Sequence, residues 1–336
     1  MKEALFYEKL EGKKVRCGLC AHRCKIVEGK RGICCARENR GGALYSLVYG
    51  KLITQQVDPI EKKPFFHLLP YSKSYSIATA DCNFRCDFCQ NYSISQGIRD
   101  RNLILGETVS PEEIVESALN CGCKSISYTY TEPTIAFEYF FEIMKLAKSK
   151  GLYNNFVTNG FMTEDVLYHV KGYLDAANVD LKAGSDEFYK SLCGARIEPV
   201  LSSLKIMKKL GIWVEVTTLI IPGMNDSERD LKTCAEFILG LGKETPWHVS
   251  RFYPRYRLDK IVPTPLSLLE STRKLGLDAG LRYVYTGNVP GDNGENTYCY
   301  NCRKTVVKRC GFEVVEYNIK DSKCKFCLAR IDGVGL

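Results

Sequence analysis

Features that would place this chain in a membrane or outside the cell are missing from the sequence. No apolar run approaches the roughly 18 residues that span a bilayer, and residues 1–6 open into charge rather than into the apolar core of a signal peptide. Neither disorder nor collagen-like bias is present, since 45% of the residues are hydrophobic and 26% are charged. Internal repeats are absent as well. We therefore expect a folded cytoplasmic protein without a membrane partner.

Basic runs interleaved with aromatics, which are typical of nucleic-acid grooves, are also scarce. One short stretch between Arg251 and Arg257 combines three arginines with two tyrosines. The net charge of +8 suits either an anionic macromolecule or an anionic bound group, because clusters held by thiolates carry negative charge. We favour the bound group.

Cysteine is the residue in excess, with 17 in 336 residues. Disulfides are disfavoured in a reducing cytosol, so short regular spacings indicate metal binding. Eleven of the cysteines fall into three such groups: Cys17, Cys20, Cys24 and Cys34; Cys82, Cys86 and Cys89; and Cys299, Cys302, Cys324 and Cys327.

The middle of the chain alternates β-rich runs with amphipathic helical stretches, which predicts parallel strands joined by crossover helices. About six such units make an α/β fold, a partial TIM-like (β/α)6 barrel, with small cysteine-rich metal modules at both ends. The predicted strands are 75–78, 125–129, 153–158, 176–180, 213–220, 247–252 and 282–285. The predicted segments are an N-terminal module (1–45), a β-rich connector (46–74), the barrel (75–286), a linker (287–297) and a ribbon-like C-terminal module (298–336).

Polar residues cluster where these strands are predicted to end. Cys82 follows the first strand and Glu132 the second, Thr158 and Asn159 end the third, and Asp180 and Lys182 end the fourth. Functional groups of such barrels lie at the carboxyl ends of the strands. This agreement supports the barrel and predicts a site at that edge.

Cys82, Cys86 and Cys89 place three thiolates within eight residues. That number suits a cubane iron–sulfur cluster with one iron left unligated by protein, and an open iron can chelate the amino and carboxylate groups of a small molecule. The competing interpretation is a zinc knuckle that lacks one ligand.

The Cys-x3-Cys-x2-Cys spacing, with Phe88 before the last cysteine, resembles the signature of the radical S-adenosylmethionine (SAM) superfamily. Further segments resemble the activating enzymes of glycyl radical enzymes, such as those of pyruvate formate-lyase, and the radical SAM enzyme of the AmmeMemoRadiSam group. The latter likeness rests on Cys17, Leu19, Cys20, His22, Cys24, Gly29, Gly32, Cys34, Glu61, Lys62, Lys63, Pro64 and the final cysteines.

The resemblance implies a [4Fe-4S] cluster on Cys82, Cys86 and Cys89 that reductively cleaves SAM to a 5′-deoxyadenosyl radical, which abstracts hydrogen from a substrate. It also implies a one-electron donor of the flavodoxin or ferredoxin type, and Memo-like and AMMECR-like proteins as partners.

The resemblance also suggests which residues face SAM. Tyr130, Thr131 and Glu132 stand in the place of the family's Gly-Gly-Glu turn, which binds the methionine amino group, although both glycines are absent here. The remaining expected contacts on the SAM side are Phe88, Thr158, Asn159, Asp180, Lys182, His248 and Arg251. A purely structural role for His248 and a surface position for Arg251 are equally compatible with the sequence.

The two outer cysteine groups are expected to hold metal. The C-terminal pairs Cys299/Cys302 and Cys324/Cys327 match zinc knuckles on a ribbon, with iron as the alternative. The N-terminal group of Cys17, Cys20, Cys24 and Cys34 suits either zinc or a second four-iron cluster. His22 and Cys35 are spare candidate ligands there.

Three functions follow from these patterns. The first is a radical enzyme that acts on a protein glycine or another macromolecular site. The second keeps the radical chemistry but modifies a small molecule together with Memo-like and AMMECR-like partners. The third is a non-catalytic protein that binds several zinc ions.

Overall fold

A computed structural model describes residues 1–96 and 103–336. The N-terminal region forms small antiparallel sheets in the orders β1-β6-β5 and β2-β3-β4. These strands are β1 (Lys2–Glu3), β2 (Tyr7–Leu10), β3 (Lys14–Cys17), β4 (Lys25–Ile26), β5 (Arg37–Arg40) and β6 (Ala43–Ser46). Buried Val15, Leu19 and Leu44 of this region join the same hydrophobic core as the central domain.

Within the described residues the main sheet has eight strands, of which seven are parallel. They and the short pair β7 and β10 are β7 (Lys51–Leu52), β8 (Thr54–Pro59), β9 (Lys73–Ala78), β10 (Glu107–Thr108), β11 (Ser125–Tyr128), β12 (Tyr153–Thr158), β13 (Ala176–Asp180), β14 (Trp213–Ile220), β15 (Trp247–Arg251) and β16 (Val284–Gly287). The sheet order is β16-β15-β14-β13-β12-β11-β9-β8, and β8 runs antiparallel to β9. All seven predicted strands are present, so the partial barrel is confirmed.

Helices connect the parallel strands, as the periodicity predicts. The helices in the described residues are α1 (Tyr92–Ser95), α2 (Pro111–Asn120), α3 (Phe137–Ser149), α4 (Glu164–His169), α5 (Asp186–Phe188), α6 (Glu198–Lys209), α7 (Glu228–Leu241) and α8 (Leu266–Asp278). Helix α2 begins with a capping box, because Glu113 N donates to Ser110 Oγ at 3.2 Å and Ser110 N donates to Glu113 Oε2 at 2.7 Å. None of the helices in the described part of the chain has the length and apolar character that crossing a bilayer requires.

The C-terminal module packs against the segment that leads into the barrel. Its strands are β17 (Thr297–Tyr298), β18 (Thr305–Cys310), β19 (Glu313–Tyr317), β20 (Ile319–Lys320) and β21 (Lys323–Cys324). Buried Arg309 donates to Phe66 O at 3.1 Å, and the His67 ring donates to Asp332 O at 2.6 Å. The module therefore has a fixed place beside the barrel.

Candidate active site

A cavity of about 410 Å³ lies at the carboxyl ends of the parallel strands. Nearly all the sequence-predicted site residues of the central domain line it. These are Cys82, Cys86, Phe88, Cys89, Tyr130, Thr131, Glu132, Thr158, Asn159, Asp180 and Lys182. The fold thus brings together residues that are up to 100 positions apart in the chain.

The loop of three cysteines is fixed by its backbone. Arg85 N donates to Cys193 O at 2.9 Å, and Asp87 N donates to Leu192 O at 3.0 Å. Burial raises the pKa of the Cys82 and Cys89 thiols. Without a metal these thiols are therefore neutral, and bound iron would supply the charge that stabilises thiolates.

The sulfur–sulfur distances differ between the cysteine groups. Four thiolates on one zinc ion lie about 3.8 Å apart, given Zn–S bonds of about 2.3 Å in a tetrahedron. Among the described residues, the three thiols of Cys82, Cys86 and Cys89 do not all lie within 4.8 Å of one another. Their spacing is wider than that of three ligands on a single zinc ion.

Glu132 is buried at the bottom of the cavity, and its carboxylate is oriented by four donors. Its Oε1 accepts from Thr134 N at 3.0 Å, Thr134 Oγ1 at 2.5 Å and Thr158 Oγ1 at 2.8 Å. Its Oε2 accepts from Asn159 N at 2.9 Å. Burial raises the pKa of Glu132, whereas these hydrogen bonds favour the carboxylate. With one donor, Oε2 retains acceptor capacity for a ligand ammonium.

Tyr130, which the resemblance places where the family has a glycine, adopts a conformation that glycine favours. Its φ is +64°, in the left-handed region, which costs a non-glycine residue roughly 1–2 kcal/mol. Its hydroxyl donates to Asp58 Oδ2 at 2.5 Å, and Lys63 Nζ lies 3.9 Å from the ring centroid. These contacts hold the turn in place without glycine.

Two further strand ends complete the wall. Asn159 Nδ2 donates to Asn83 Oδ1 at 2.7 Å and lies 3.7 Å from Cys82 Sγ. Lys182 Nζ lies 2.6 Å from Asp180 Oδ2 and 5.8 Å from the Phe88 ring centroid. Although burial acts against its charge, Asp180 and Cys86 raise the pKa of Lys182, so the ammonium persists beside the cluster loop.

The structure does not bring His248 and Arg251 into the cavity wall. The His248 Nε2 atom lies 2.7 Å from Glu215 Oε2, deep in the barrel, because His248 is near the amino end of its strand. Arg251 donates to Thr264 O at 2.9 Å and contacts Tyr253 at the rim. Neither residue is among those that line the cavity, and their contact with the cofactor stays a prediction.

Sequence reasoning missed several residues. Cys193 lacks a spacing motif, yet its buried thiol is the leading cause of the raised pKa of Cys86. Lys62, Lys63 and Phe312 also line the cavity. Phe312 comes from the C-terminal module, and only the fold brings it there.

The C-terminal cysteines converge on one point. All four thiols lie within 4.8 Å of one another, with Cys299 and Cys327 Sγ 3.6 Å apart and Cys302 and Cys324 Sγ 3.8 Å apart. Asn301 Nδ2 lies 3.5 Å from Cys327 Sγ and lowers the pKa of Cys327 to about 6. These distances suit a single tetrahedral metal ion.

Comparison with known proteins identifies the family. A model of the radical SAM superfamily matches residues 76–237. An uncharacterized protein of Methanocaldococcus jannaschii, MJ0808, is 47% identical, and the alignment covers 99% of each chain. The chain belongs to the radical SAM superfamily, whose members use a [4Fe-4S] cluster and SAM.

More distant relatives include activating enzymes. The pyruvate formate-lyase-activating enzyme of Clostridium pasteurianum is 24% identical, over 47% of this chain and 66% of that protein. A radical SAM methyltransferase from Sphaerobacter thermophilus has a similar fold, with a TM-score of 0.52, 14% identity and coverage of 67% of this chain and 70% of that one.

Proposed function

We propose that this protein is a radical SAM enzyme of the activating-enzyme type, which abstracts hydrogen from a macromolecular substrate such as a protein glycine. The observation that carries the proposal is one cavity lined by three cysteine thiols together with Glu132, Asn159, Asp180 and Lys182. When bound, the cluster and SAM supply one-electron cleavage and a hydrogen-abstracting 5′-deoxyadenosyl radical.

The protein's own residues would hold and orient these groups. Cys82, Cys86 and Cys89 would each ligate one iron, which leaves the fourth iron for the SAM amino and carboxylate groups. Glu132 Oε2 would accept from the SAM ammonium, and Lys182 would attract an anionic group of the cofactor. The half-buried Thr131 and buried Phe88 would exclude water from that side.

The size of the cavity supports a macromolecular substrate. A pocket for one drug-sized ligand takes roughly 300–1,000 Å³, so a cluster and SAM would fill most of the 410 Å³ available. What remains near the mouth suits a narrow part of a larger molecule, such as a glycine in an extended peptide.

A second candidate is a small anionic substrate, modified with Memo-like and AMMECR-like partners. Lys62 and Lys63 line the cavity and share the single carboxylate of Asp58, at 2.8 and 2.7 Å. The pair therefore carries one uncompensated positive charge, which an anionic ligand could neutralise.

The proposed reaction also requires an electron donor and a reducing compartment, and the C-terminal cysteines require a metal. A low-potential flavodoxin-like or ferredoxin-like protein would deliver the electron. We propose a reducing, cytoplasmic compartment, because cysteines at short regular spacings are typical of metal sites rather than of disulfides. For the C-terminal group we propose structural zinc, because its sulfur spacing matches a tetrahedral ion and the module is too small to fold on its core alone.

Deuterium transfer tests the reaction and the substrate class together. The reconstituted enzyme, SAM and a reductant are incubated with a macromolecular or a low-molecular-weight fraction of deuterium-labelled cells. We expect deuterium in 5′-deoxyadenosine only with the macromolecular fraction. Deuterium from the small-molecule fraction alone would favour the second candidate. A chain that binds zinc at every site and no iron would leave the non-catalytic zinc protein.

A further inference from the structure

The N-terminal cysteines surround a second cavity that the radical SAM reaction does not use. Cys17, Cys20, Cys24 and Cys34 all line it, whereas Cys35 does not. The cavity is enclosed by Leu19 and Ile26 and has almost no polar surface beyond these groups. Four thiols around one closed apolar space form a complete ligand set.

The sulfur spacing in this cavity differs from that in the C-terminal group. Among the described residues, no three of the N-terminal thiols lie within 4.8 Å of one another, whereas all four C-terminal thiols do. A single zinc ion requires edges of about 3.8 Å. The N-terminal thiols are spread around a space, as Cys82, Cys86 and Cys89 are, rather than collapsed on a point.

Two buried donors have no partner among the described residues: one lines this cavity, and the other lies on the central cysteine loop. Arg37 is 1% exposed and lines the cavity, and its Nε has no hydrogen-bond partner among the described residues. Its Nη2 donates to both Glu138 carboxylate oxygens, at 2.6 and 2.7 Å, and its Nη1 donates to Leu5 O at 3.4 Å. A buried N–H without an acceptor costs roughly 1–3 kcal/mol, so an anionic group in the cavity would stabilise this arrangement.

Asn83 supplies the second donor and joins the two cysteine sites. Its Oδ1 accepts from Asn159 Nδ2 at 2.7 Å, beside Cys82. Its Nδ2 has no hydrogen-bond partner among the described residues. His22 Nε2, in the N-terminal module, donates to Asn83 O at 2.9 Å and so joins this module to the central cysteine loop.

We propose that Cys17, Cys20, Cys24 and Cys34 hold a second iron–sulfur cluster, and that Asn83 links it to the central cluster as an electron path. The four cysteines would hold a cluster that takes one electron from a flavodoxin-like or ferredoxin-like donor and gives the same electron to the central cluster. The N-terminal cluster would thus return to its starting oxidation state without transfer of an atom. The metal assignment stands alone, and only the electron path rests on the proposed radical SAM function.

Metal content after anaerobic reconstitution, with iron, sulfide and zinc all supplied, tests the assignment. We expect about eight irons in the wild type and about four in a Cys82→Ala/Cys86→Ala/Cys89→Ala variant, with the paramagnetic resonance signal of a reduced cubane that SAM does not perturb. A Cys17→Ala/Cys34→Ala variant should keep about four irons whose signal SAM does perturb. Cys121→Ala, at an exposed cysteine, should resemble the wild type.

The outcomes separate the two proposals. Zinc in place of iron in the triple variant would overturn the second cluster and leave the radical function intact. Loss of the SAM response in the Cys17→Ala/Cys34→Ala variant, with iron still in the triple variant, would overturn the radical function instead.

The contribution of Asn83 is tested separately, by the reduction potential of the N-terminal cluster. In the triple-variant background, Asn83→Leu should shift the reduction potential of the remaining cluster to more negative values, because hydrogen bonds to sulfur stabilise the reduced state. Asn83→Ser, a smaller change, serves the same purpose if Asn83→Leu does not fold. An unchanged potential would overturn the proposed link.

Discussion

The backbone N–H of Asn159 donates to Glu132 Oε2 at 2.9 Å, so the end of one barrel strand orients the carboxylate that follows another. In Glu132→Gln the side chain would present either an amide N–H or an uncharged oxygen to the Asn159 N–H. We expect SAM binding to weaken about 10- to 100-fold, since hydrogen bonds to charged groups contribute about 1.5–3 kcal/mol. Equilibrium binding of SAM to the reconstituted variant measures this loss.

Glu187→Gln is the matched control, because Glu187 is exposed and lies outside the cavity wall. It should bind SAM as the wild type does. Equal affinity of Glu132→Gln and the wild type would show that Glu132 has no contact with the cofactor.

Cys86→Ala should abolish reductive cleavage of SAM while both outer modules remain metallated. The reason is that this change removes one of the three thiolates that hold the central cluster. The rate of 5′-deoxyadenosine release, together with iron and zinc content, checks both parts. Release at the wild-type rate would contradict the assignment of the cluster to this loop.

Cys193 should tune the central cluster without ligating it. Its buried thiol lies beside Cys86, and its carbonyl accepts from Arg85 N at 2.9 Å. Cys193→Ala should retain the full iron content but change the reduction potential, because the surroundings of a ligand sulfur are altered. A drop in central-cluster iron would instead identify Cys193 as a ligand that closes the open site.

Cys302→Ala should remove a ligand of a structural metal ion rather than of a redox centre. We expect the loss of about one zinc per chain, a lower melting temperature and earlier proteolysis after residue 297, since such a small module depends on metal to fold. Metal analysis and thermal unfolding measure these effects. A variant that melts normally but turns over slowly would indicate a redox centre in this module.

His67 should make the protein less stable in mild acid. It is buried at the contact between the barrel and the C-terminal module, and burial lowers its pKa from 6.5 to about 4. The unfolded chain therefore binds a proton below about pH 6.5, whereas the folded protein binds it only near pH 4, so stability falls as the pH falls through this window. The full effect is about 3 kcal/mol.

Urea unfolding of the wild type and His67→Gln at pH 7 and pH 5 tests this dependence. His67→Gln should lose less stability than the wild type over this interval, because glutamine has no proton to gain. Equal losses in both proteins would assign the acid sensitivity to other groups.

Local patterns were sufficient for much of the fold. β-rich runs separated by amphipathic stretches predicted the seven parallel strands and the helices that connect them. These features depend on neighbours in the chain, so spacing alone specifies them. The same holds for the three groups of cysteines, whose members were recognised by their short spacings in the sequence.

The sequence by itself determined the family, the parallel sheet and the cysteines that belong together. Only the tertiary structure decided that His248 pairs with Glu215 inside the barrel, that Cys193 lies beside Cys86, and that Phe312 reaches the cavity. It also distinguished the converging C-terminal sulfurs from the spread N-terminal ones. The physical reason is that these contacts join segments far apart in the chain, whose approach depends on how the whole core packs, and no spacing rule encodes such packing.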